Sequence, residues 1–468
     1  MRKACLLAGV ALIGGALLVP EGAAAETLED VLSAAYNTNP TLQARRARLR
    51  AADEGVPQAL ANWRPTVTLS GEAGRGKYES NQSTTGRESN RSPKDYSLTV
   101  SQPLYRGGRT TAQTQQAEAT VQAERALLQA TEQTILLNAA TAYLNVVRDE
   151  AVVRLSVNNE QVLRRQLEAA QERFRVGEIT RTDVSQAEAR LSRATADRVA
   201  AEGTLQNSRA NFVNVVGRPP EGPQAPSSAV PVPASFDEVK ALTLAKNPNI
   251  AAADWTATAA KEGVDLVFGE LLPTVSLQGQ YSRSQDASAR FLADGSVNKA
   301  ESENLQATLN VSVPLYEGGG TYSRVRAQKH TFGQRRIEAD QARRDSLESA
   351  NKGWEDLLAA RARIKSYETQ IRASEMALAG VEEEAKVGSR TVLDVLDAEQ
   401  ELFDARVNMV KAQRDEMVAA FQVKTALGQA TAEGLNLPVE RYDAAKHYED
   451  VRGQWIGTGI EPAPGYAD

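Results

Sequence analysis

The sequence predicts two tandem structural repeats, each combining long coiled-coil helices with a pair of amphipathic β-strands. Three observations support this fold class. The two halves of the chain match each other over about two hundred residues. Within each half, apolar residues recur every three or four positions over long stretches, and between these stretches they recur at every second position. The composition, with only 5% aromatic residues among 468, also favours long helices.

The N-terminus is typical of a secretory signal peptide. Two basic residues precede a run from Ala4 to Val19 that has no charged or hydroxylated side chain, and three alanines follow before Glu26. We therefore expect residues 1–25 to be removed on export, the alternative being an N-terminal membrane anchor. The only cysteine, Cys5, lies in this segment, so the exported chain is expected to have no disulfide and no cysteine-based metal site.

An internal duplication sets the domain organisation. TLEDVLSAAYNTNPTL from Thr27 matches SFDEVKALTLAKNPNI from Ser235, and VSQPLYRGG from Val100 matches VSVPLYEGG from Val311. Because this repeat is far longer than a solenoid unit, it indicates a duplicated half-molecule. The predicted divisions are a first repeat at 26–216, a proline-rich linker at 217–234, a second repeat at 235–430 and an irregular tail at 431–468.

Each repeat is predicted to contain one long helix and two shorter ones. In the first repeat the long helix covers Gly108 to Val176, about 100 Å at the usual rise per residue. The shorter helices, Asn39–Trp63 and Thr182–Gly217, together come to about 90 Å and are expected to lie end to end beside it. The apolar seam of the long helix is expected at Ile135, Ala139, Ala142, Val146, Val153 and Val157.

One turn occurs in both repeats. FRVGEITRTDVSQAEA, from Phe174, returns as AKVGSRTVLDVLDAEQ, from Ala385, and we expect both stretches to form the tips where a long helix reverses. Gly177 and Gly388 permit the backbone conformation that such a reversal needs.

Aspartates follow each turn. Asp183 and Asp394 are expected to cap the returning helix, with Gln186 completing a capping box. Asp394 and Asp397 would share one helix face, and a threefold axis would turn each into a ring of carboxylates that attracts cations. A solvated charged face is the alternative interpretation.

Strands are predicted where apolar residues alternate with polar ones. In the first repeat these are PTVTLSGEAG and DYSLTVSQP, and the second repeat has their counterparts. Pro65 and Pro273 are expected to precede the first strand of each pair, and Pro103 and Pro314 to end the second. Polar loops are expected at Lys77–Lys94 and Arg283–Ser302.

These strands pose a closure problem, because the smallest barrels need about eight strands and one chain supplies four. If the apolar faces contact lipid, open edges are forbidden and several chains must combine their strands. The polar faces, rich in Thr, Ser, Gln and Asn, suit a water-filled lumen. A soluble sandwich with its apolar faces packed together is the alternative.

These features together resemble the TolC-like outer-membrane efflux and secretion proteins of Gram-negative bacteria. The resemblance extends from Thr27 to about Gly428. The motifs that carry it are the two tips, the Asn39-Pro40 and Asn247-Pro248 pairs, and the P-L-Y-x-G-G segments Pro103–Gly108 and Pro314–Gly319.

The resemblance implies a homotrimer, with a twelve-stranded transmembrane β-barrel in the outer membrane continuous with a periplasmic α-helical barrel. It implies an exit duct for type I protein secretion or multidrug efflux. The implied partners are outer-membrane lipid, a periplasmic membrane-fusion adaptor, and an inner-membrane ABC exporter or proton-driven pump. A periplasmic coiled-coil adaptor or scaffold without a barrel is the alternative.

The resemblance also implies residue roles. Ala385 stands where some members carry a tyrosine that hydrogen-bonds across the tip, so that tether is absent from this chain. The implied periplasmic gate consists of Asp394, Asp397, Arg390, Asp183 and Thr182. The implied adaptor contacts are Val176, Gly177, Val387 and Gly388.

Other function classes have little support. Acidic residues outnumber basic ones, 60 to 54, and the basic residues are spread along helices, which argues against nucleic acid. His330 and His447 do not form a metal-spaced pair, and no nucleophile-elbow motif is present. The Gly107-Gly108 and Gly318-Gly319 pairs are expected to bend strand into helix and not to bind phosphate. We therefore expect no enzyme activity, no cofactor and no metal.

Overall fold

The computed structural model describes residues 26–79, 88–226, 231–291 and 297–460, so the expected signal peptide lies outside the described residues. The first repeat contains α1 (Leu28–Thr38), α2 (Pro40–Asp53), α3 (Gly55–Leu60), β1 (Thr66–Ala73), β2 (Gly76–Glu79), β3 (Glu88–Arg91), β4 (Pro93–Arg106), α4 (Arg109–Arg175) and α5 (Arg181–Val216). The second contains α6 (Phe236–Lys246), α7 (Pro248–Phe268), β5 (Thr274–Phe291), β6 (Val297–Ser312), α8 (Gly320–Lys386) and α9 (Val392–Ala426), and is followed by α10 (Lys446–Arg452).

The duplication produces helices of equal length. The two long helices, α4 and α8, each contain 67 residues, which corresponds to about 100 Å. Helix α4 begins and ends within one residue of the bounds expected from the apolar period. None of the described helices is both long enough and apolar enough to cross a membrane.

The chain forms two compact units that cut across the repeats. Among the described residues, the first unit takes those within 26–35, 139–226 and 364–414, and the second takes those within 36–138, 231–363 and 415–460. Each unit therefore contains segments of both repeats, and the long helices contribute to both.

One buried cluster of the first unit lies where α4, α5 and α9 pack together. Ala170, Ala187 and Ala194 are buried in it with Leu163 and Leu396. Partly buried aliphatic residues pack against this cluster, namely Leu167, Ile179, Val184, Leu191 and Val392. Along the predicted seam, Ala139, Ala142 and Val146 are fully buried, whereas Val153 and Val157 are only partly buried.

A buried tyrosine joins the start of the described chain to the linker in the first unit. The Tyr143 hydroxyl donates toward the carbonyl oxygens of Glu26 and Gln224, at 2.8 and 2.7 Å, and accepts from the backbone N–H of Gln224 at 3.1 Å. Arg218 contacts the Glu26 carboxylate at 2.7 Å. These contacts hold a linker that has no helix or strand within 217–226.

The second unit contains an antiparallel sheet in the order β1-β4-β5-β6, with β2 and β3 paired separately. The strands begin directly after Pro65 and Pro273, as expected, and β6 ends two residues before Pro314. The expectation for Pro103 is wrong, because β4 continues to Arg106 through an irregularity in register between Pro103 and Tyr105. A bulge of this kind accommodates a residue that lacks an N–H donor.

The two polar stretches expected to be loops are also largely strand. Residues 76–79 and 88–91 pair as β2 and β3, while β5 extends to Phe291 and β6 begins at Val297. The sequences of these stretches contain few large apolar residues, so a search for alternating apolar residues does not find them, which explains this error.

The bend between β4 and α4 requires glycine at position 107, because the backbone of Gly269 passes close to it. Gly107 has φ of +63°, and a Cβ atom there would stand 2.2 Å from the carbonyl oxygen of Gly269. The expected bending role of this glycine pair is consistent with that geometry.

The tail expected to be irregular contains α10, which packs on α2 and α3 in the second unit. His447 Nδ1 lies 3.2 Å from the carboxylate of Asp53, whose side chain is buried. Burial raises the pKa of Asp53, and the hydrogen bond with His447 opposes that rise. The backbone N–H of Tyr442 donates to the Tyr36 hydroxyl at 3.0 Å. The tail is thus fixed against α1, through Tyr36, and against α2, through Asp53, by polar contacts that a composition-based prediction could not anticipate.

We expect Tyr143→Phe to loosen the linker, because the Gln224 amide loses its acceptor in a partly buried hydrogen bond. The loss corresponds to about 0.5–1.5 kcal/mol, or roughly 2- to 13-fold faster amide exchange at Gln224. Hydrogen exchange measured by mass spectrometry tests this. The matched variant Tyr36→Phe should speed exchange at Tyr442 and leave Gln224 unchanged; equal effects of both variants at Gln224 would contradict the assignment.

Candidate functional site

The four-stranded sheet of the second unit separates apolar from polar side chains. Residues paired directly across antiparallel strands point to the same face, so the register defines each face. One face carries the rows Val67, Val100, Gly279 and Ala307, then Leu69, Leu98, Tyr281 and Leu305. The other face carries the rows Thr68, Thr99, Gln280 and Gln306, then Ser70, Ser97, Ser282 and Asn304.

The large apolar side chains of these rows are exposed, and on the outer strands β1 and β6 the polar side chains are exposed as well. Leu69 is 76% exposed and Leu305 is 82% exposed. On β4 the apolar residues Leu98 and Val100 are more exposed than the intervening Thr99. A sheet that buries its apolar face against its own chain shows the opposite pattern, so this face is built to contact something other than water.

Polar and aromatic residues bound the apolar face at its two ends. At one end Arg283 pairs with Glu301 and lies 3.7 Å from Glu303. At the other end, where the strands meet the helices, Tyr105 and Trp63 are exposed. An apolar band with aromatic residues at its border is typical of strands that face lipid.

The sheet has two open edges, because β1 and β6 are the outer strands of the four. Each edge presents a row of backbone N–H and C=O groups that can pair with another strand.

Both tips of the first unit reverse through a glycine with positive φ, +78° at Gly177 and +80° at Gly388. At the first tip the N–H of Glu178 donates to the carbonyl of Arg173 at 2.9 Å. At the second the N–H of Ser389 donates to the carbonyl of Glu384 at 3.0 Å. These six-to-one bonds are the Schellman arrangement that ends a helix at glycine, as the sequence predicts.

The helix caps differ from the expectation. Thr180 and Thr391, and not the aspartates, precede the returning helices. The Asp183 carboxylate accepts from the backbone N–H and the hydroxyl of Thr180 at 2.9 and 2.8 Å, and Asp394 accepts from Thr391 at the same two distances. The aspartates are therefore the third residues of two capping boxes, and Gln186 has no part in them.

These bonds have an electrostatic consequence at the second tip. The backbone N–H and the hydroxyl of Thr391 hold the pKa of the Asp394 carboxyl below its usual value. Asp394 is therefore ionised throughout the neutral range, as a carboxylate ring would require.

The expected gate residues do not form one cluster within the chain. Asp397, on α9, forms an ion pair with Arg190 of α5. Arg390 donates through Nε to Glu384 at 2.9 Å, and its charge also contributes to the low pKa of Asp394. Thr182 is exposed in the first turn of α5.

The expected adaptor contacts lie at the surface. Val176 is 77% exposed and Val387 is 80% exposed, each directly before its turn glycine. Large apolar residues at a helix end are usually covered, so each tip is unusual in having an exposed valine side chain at its surface.

Two features were missed. The T-x-x-D spacing of each cap was visible in TRTD and TVLD, and it is a short form of the capping-box pattern. The role of Arg190 had no local signal, because its partner lies in the other repeat, 207 residues away.

We expect Thr391→Val to fray the start of α9, because the cap loses its hydroxyl. Hydrogen exchange at Asp394, whose backbone N–H donates to the Thr391 hydroxyl at 3.3 Å, should become faster, and the pKa of the Asp394 carboxyl should rise. Because the folded-state pKa is lowered, the stabilisation is present at neutral pH and is lost only as pH falls through that lowered value. The control is Thr182→Val at an exposed position; equal fraying there would contradict the cap.

Comparisons with known proteins agree over the whole chain. A family model described as outer membrane efflux protein matches residues 31–218 and 241–429. Outer membrane efflux protein BepC of Brucella suis biovar 1 (strain 1330) is 34% identical over 458 residues, covering 97% of each chain. Alkaline protease secretion protein AprF of Pseudomonas aeruginosa is 25% identical over 467 residues, covering 96% of this chain and 93% of AprF.

Solved structures show the same fold. CusC superposes with a TM-score of 0.75 at 17% identity, covering 86% of this chain and 91% of CusC. The outer-membrane channel OprN superposes with a TM-score of 0.72 at 21% identity, covering 86% and 89%. Because the family model matches both repeats and BepC is similar over nearly the full length, this chain belongs to the outer membrane efflux protein family and is a TolC-like outer-membrane channel with a periplasmic extension.

Proposed function

We propose that the chain acts as a homotrimer whose twelve main strands close one barrel in the outer membrane and whose helices form a periplasmic duct. The observation that carries this proposal is the sheet, whose exposed apolar rows adjoin two open edges. In hydrocarbon each unpaired backbone group costs several kcal/mol. Pairing β6 of one subunit with β1 of the next removes every edge, and three subunits supply more than the minimum of about eight strands.

The polar rows then line the lumen. Threonine, serine, glutamine and asparagine dominate that face, so the barrel would hold water and pass hydrated solutes. A periplasmic scaffold without a barrel does not account for the exposed leucines of β1 and β6.

We propose that this duct serves type I protein secretion, multidrug efflux, or both. Similarity to BepC supports efflux, and similarity to AprF supports protein secretion. In either role an inner-membrane ABC exporter or proton-driven pump would load the duct through a periplasmic adaptor. The exposed Val176-Gly177 and Val387-Gly388 pairs are the proposed adaptor contacts.

We propose further that the aspartates after the tips form the periplasmic gate. Three copies of Asp394 and of Asp397 would form two carboxylate rings, which favour cations and repel one another. Asp183, Thr182 and Arg390 lie beside the tips and are proposed to complete this constriction. The Arg190–Asp397 ion pair links α5 to α9 and would set the position of the Asp397 ring.

A matched pair of substitutions tests the barrel. Leu309 and Thr308 are adjacent on β6 and point to opposite faces. Leu309 lies within the apolar rows, away from the Arg283–Glu303 row, so Leu309→Arg should reduce detergent-resistant trimer, because a lipid-facing arginine costs about 2–4 kcal/mol at mid-membrane. Thr308→Arg should leave the trimer intact and shift ion selectivity toward anions in planar bilayers. Equal tolerance of both substitutions, or a monomer in detergent, would refute the barrel.

The gate has a separate test. Asp394→Asn combined with Asp397→Asn should lower cation selectivity, measured as reversal potential across a salt gradient at low ionic strength. The control is Thr391→Val, which disturbs the cap but keeps both carboxylates. If the control changes selectivity as much as the double variant, the effect comes from tip structure and the carboxylate rings are excluded.

A further inference from the structure

The segment that follows α10, Gln454 to Ile460, has three large apolar side chains and no charged residue. Ile456 is 89% exposed and Ile460 is 87% exposed, and Trp455 is also largely exposed. Single exposed apolar residues are ordinary, but three within six positions of an uncharged stretch form an apolar surface.

The position of this segment is fixed by Arg64. The Arg64 guanidinium lies over the Trp455 ring, 4.6 Å from its centroid, and donates through Nη1 to the carbonyl of Gln454 at 2.6 Å. Arg64 directly precedes Pro65 and the first residue of β1. The segment is therefore held at the end of the sheet where the strands meet the helices.

The same end of the sheet has other exposed aromatic residues. Trp63 and Tyr105 are partly exposed, Tyr316 is almost fully exposed, and the side chain of Gln102 on β4 donates to the carbonyl of Trp63 at 2.8 Å. Tryptophan and tyrosine concentrate at the level of lipid headgroups, where one side of the ring is apolar and the other is wet.

We propose that Gln454–Ile460 lies in the headgroup region of the periplasmic leaflet of the outer membrane and anchors the C-terminal tail to phospholipid. This inference rests on the proposed barrel. Trp455, Ile456 and Ile460 contact the upper acyl chains, and Arg64 faces the phosphates. The backbone here is neither helix nor strand, so its polar groups need water or headgroups and the segment cannot enter the hydrocarbon core.

Lipid is favoured over a second copy of the chain by the continuity of this surface with the exposed apolar face of the strands. The segment is also short and irregular, so it offers no regular face that a helix or strand of another subunit could pair with.

Single-cysteine variants test the anchor in the full-length protein. In a Cys5→Ser background, Ile456→Cys and Ile460→Cys are labelled with an environment-sensitive fluorophore and reconstituted in phospholipid vesicles. Leu305→Cys on β6 serves as the lipid-facing reference. Ile337→Cys serves as the matched control: it is an exposed isoleucine on α8, about 25 Å along the helix from its first residue. Quenching is measured with lipids brominated near the headgroup and with aqueous iodide.

The anchor predicts that brominated lipid quenches labels at 456 and 460 to at least about half of the extent seen at 305, and leaves 337 unquenched. Quenching at 305 with iodide quenching at 456 and 460 would overturn the anchor alone. Quenching at 305 with neither quencher reaching 456 or 460 would place the segment against another subunit and would also overturn it. Absence of lipid quenching at 305 would instead refute the barrel.

Discussion

The structure depends on one constraint, which is that every backbone N–H and C=O in the hydrocarbon region must be paired within protein. A chain with an exposed apolar sheet and free edges at β1 and β6 cannot meet this constraint alone. In the proposed homotrimer, edge pairing between identical subunits would remove the difficulty. Duplication would serve that assembly, because two strand pairs in one chain double the arc of the proposed barrel that each subunit covers.

Duplication also creates two tips that share their local geometry but differ in their long-range contacts. The turn glycines and capping boxes agree to within a tenth of an ångström in their key bonds, since those bonds depend only on neighbouring residues. The ion pair does not repeat. Arg190 aligns with Glu401, and Asp397 aligns with Gln186, so each repeat supplies one half of a contact that neither could form with its own copy. Divergence after duplication thus gives the two tips different long-range contacts.

The sequence predicted the features that depend on neighbouring residues, and it did not predict those that depend on contacts between distant residues. The bounds of α4, the start of β1 after Pro65 and the turn glycines followed from periodicity and steric rules. The ends of β5 and β6 at Phe291 and Val297 were not predicted as strand because the sequence there contains few large apolar residues. Helix α10 was not predicted because it is held by contacts between residues distant in sequence, such as that of His447 with Asp53.

The packing of the tip helices bears on how the proposed gate would move. Arg190 is 26% exposed and Asp397 is 56% exposed, so water partly screens their ion pair, which contributes on the order of 1 kcal/mol. Ala187 and Ala194 of α5 are buried with Leu396 of α9, and the partly buried Leu191 and Val392 pack around them. Interdigitated aliphatic side chains allow two helices to move relative to each other only by repacking that contact. The energy that would hold a closed state is therefore expected to be spread over this packing, with the proposed carboxylate rings determining which ions pass.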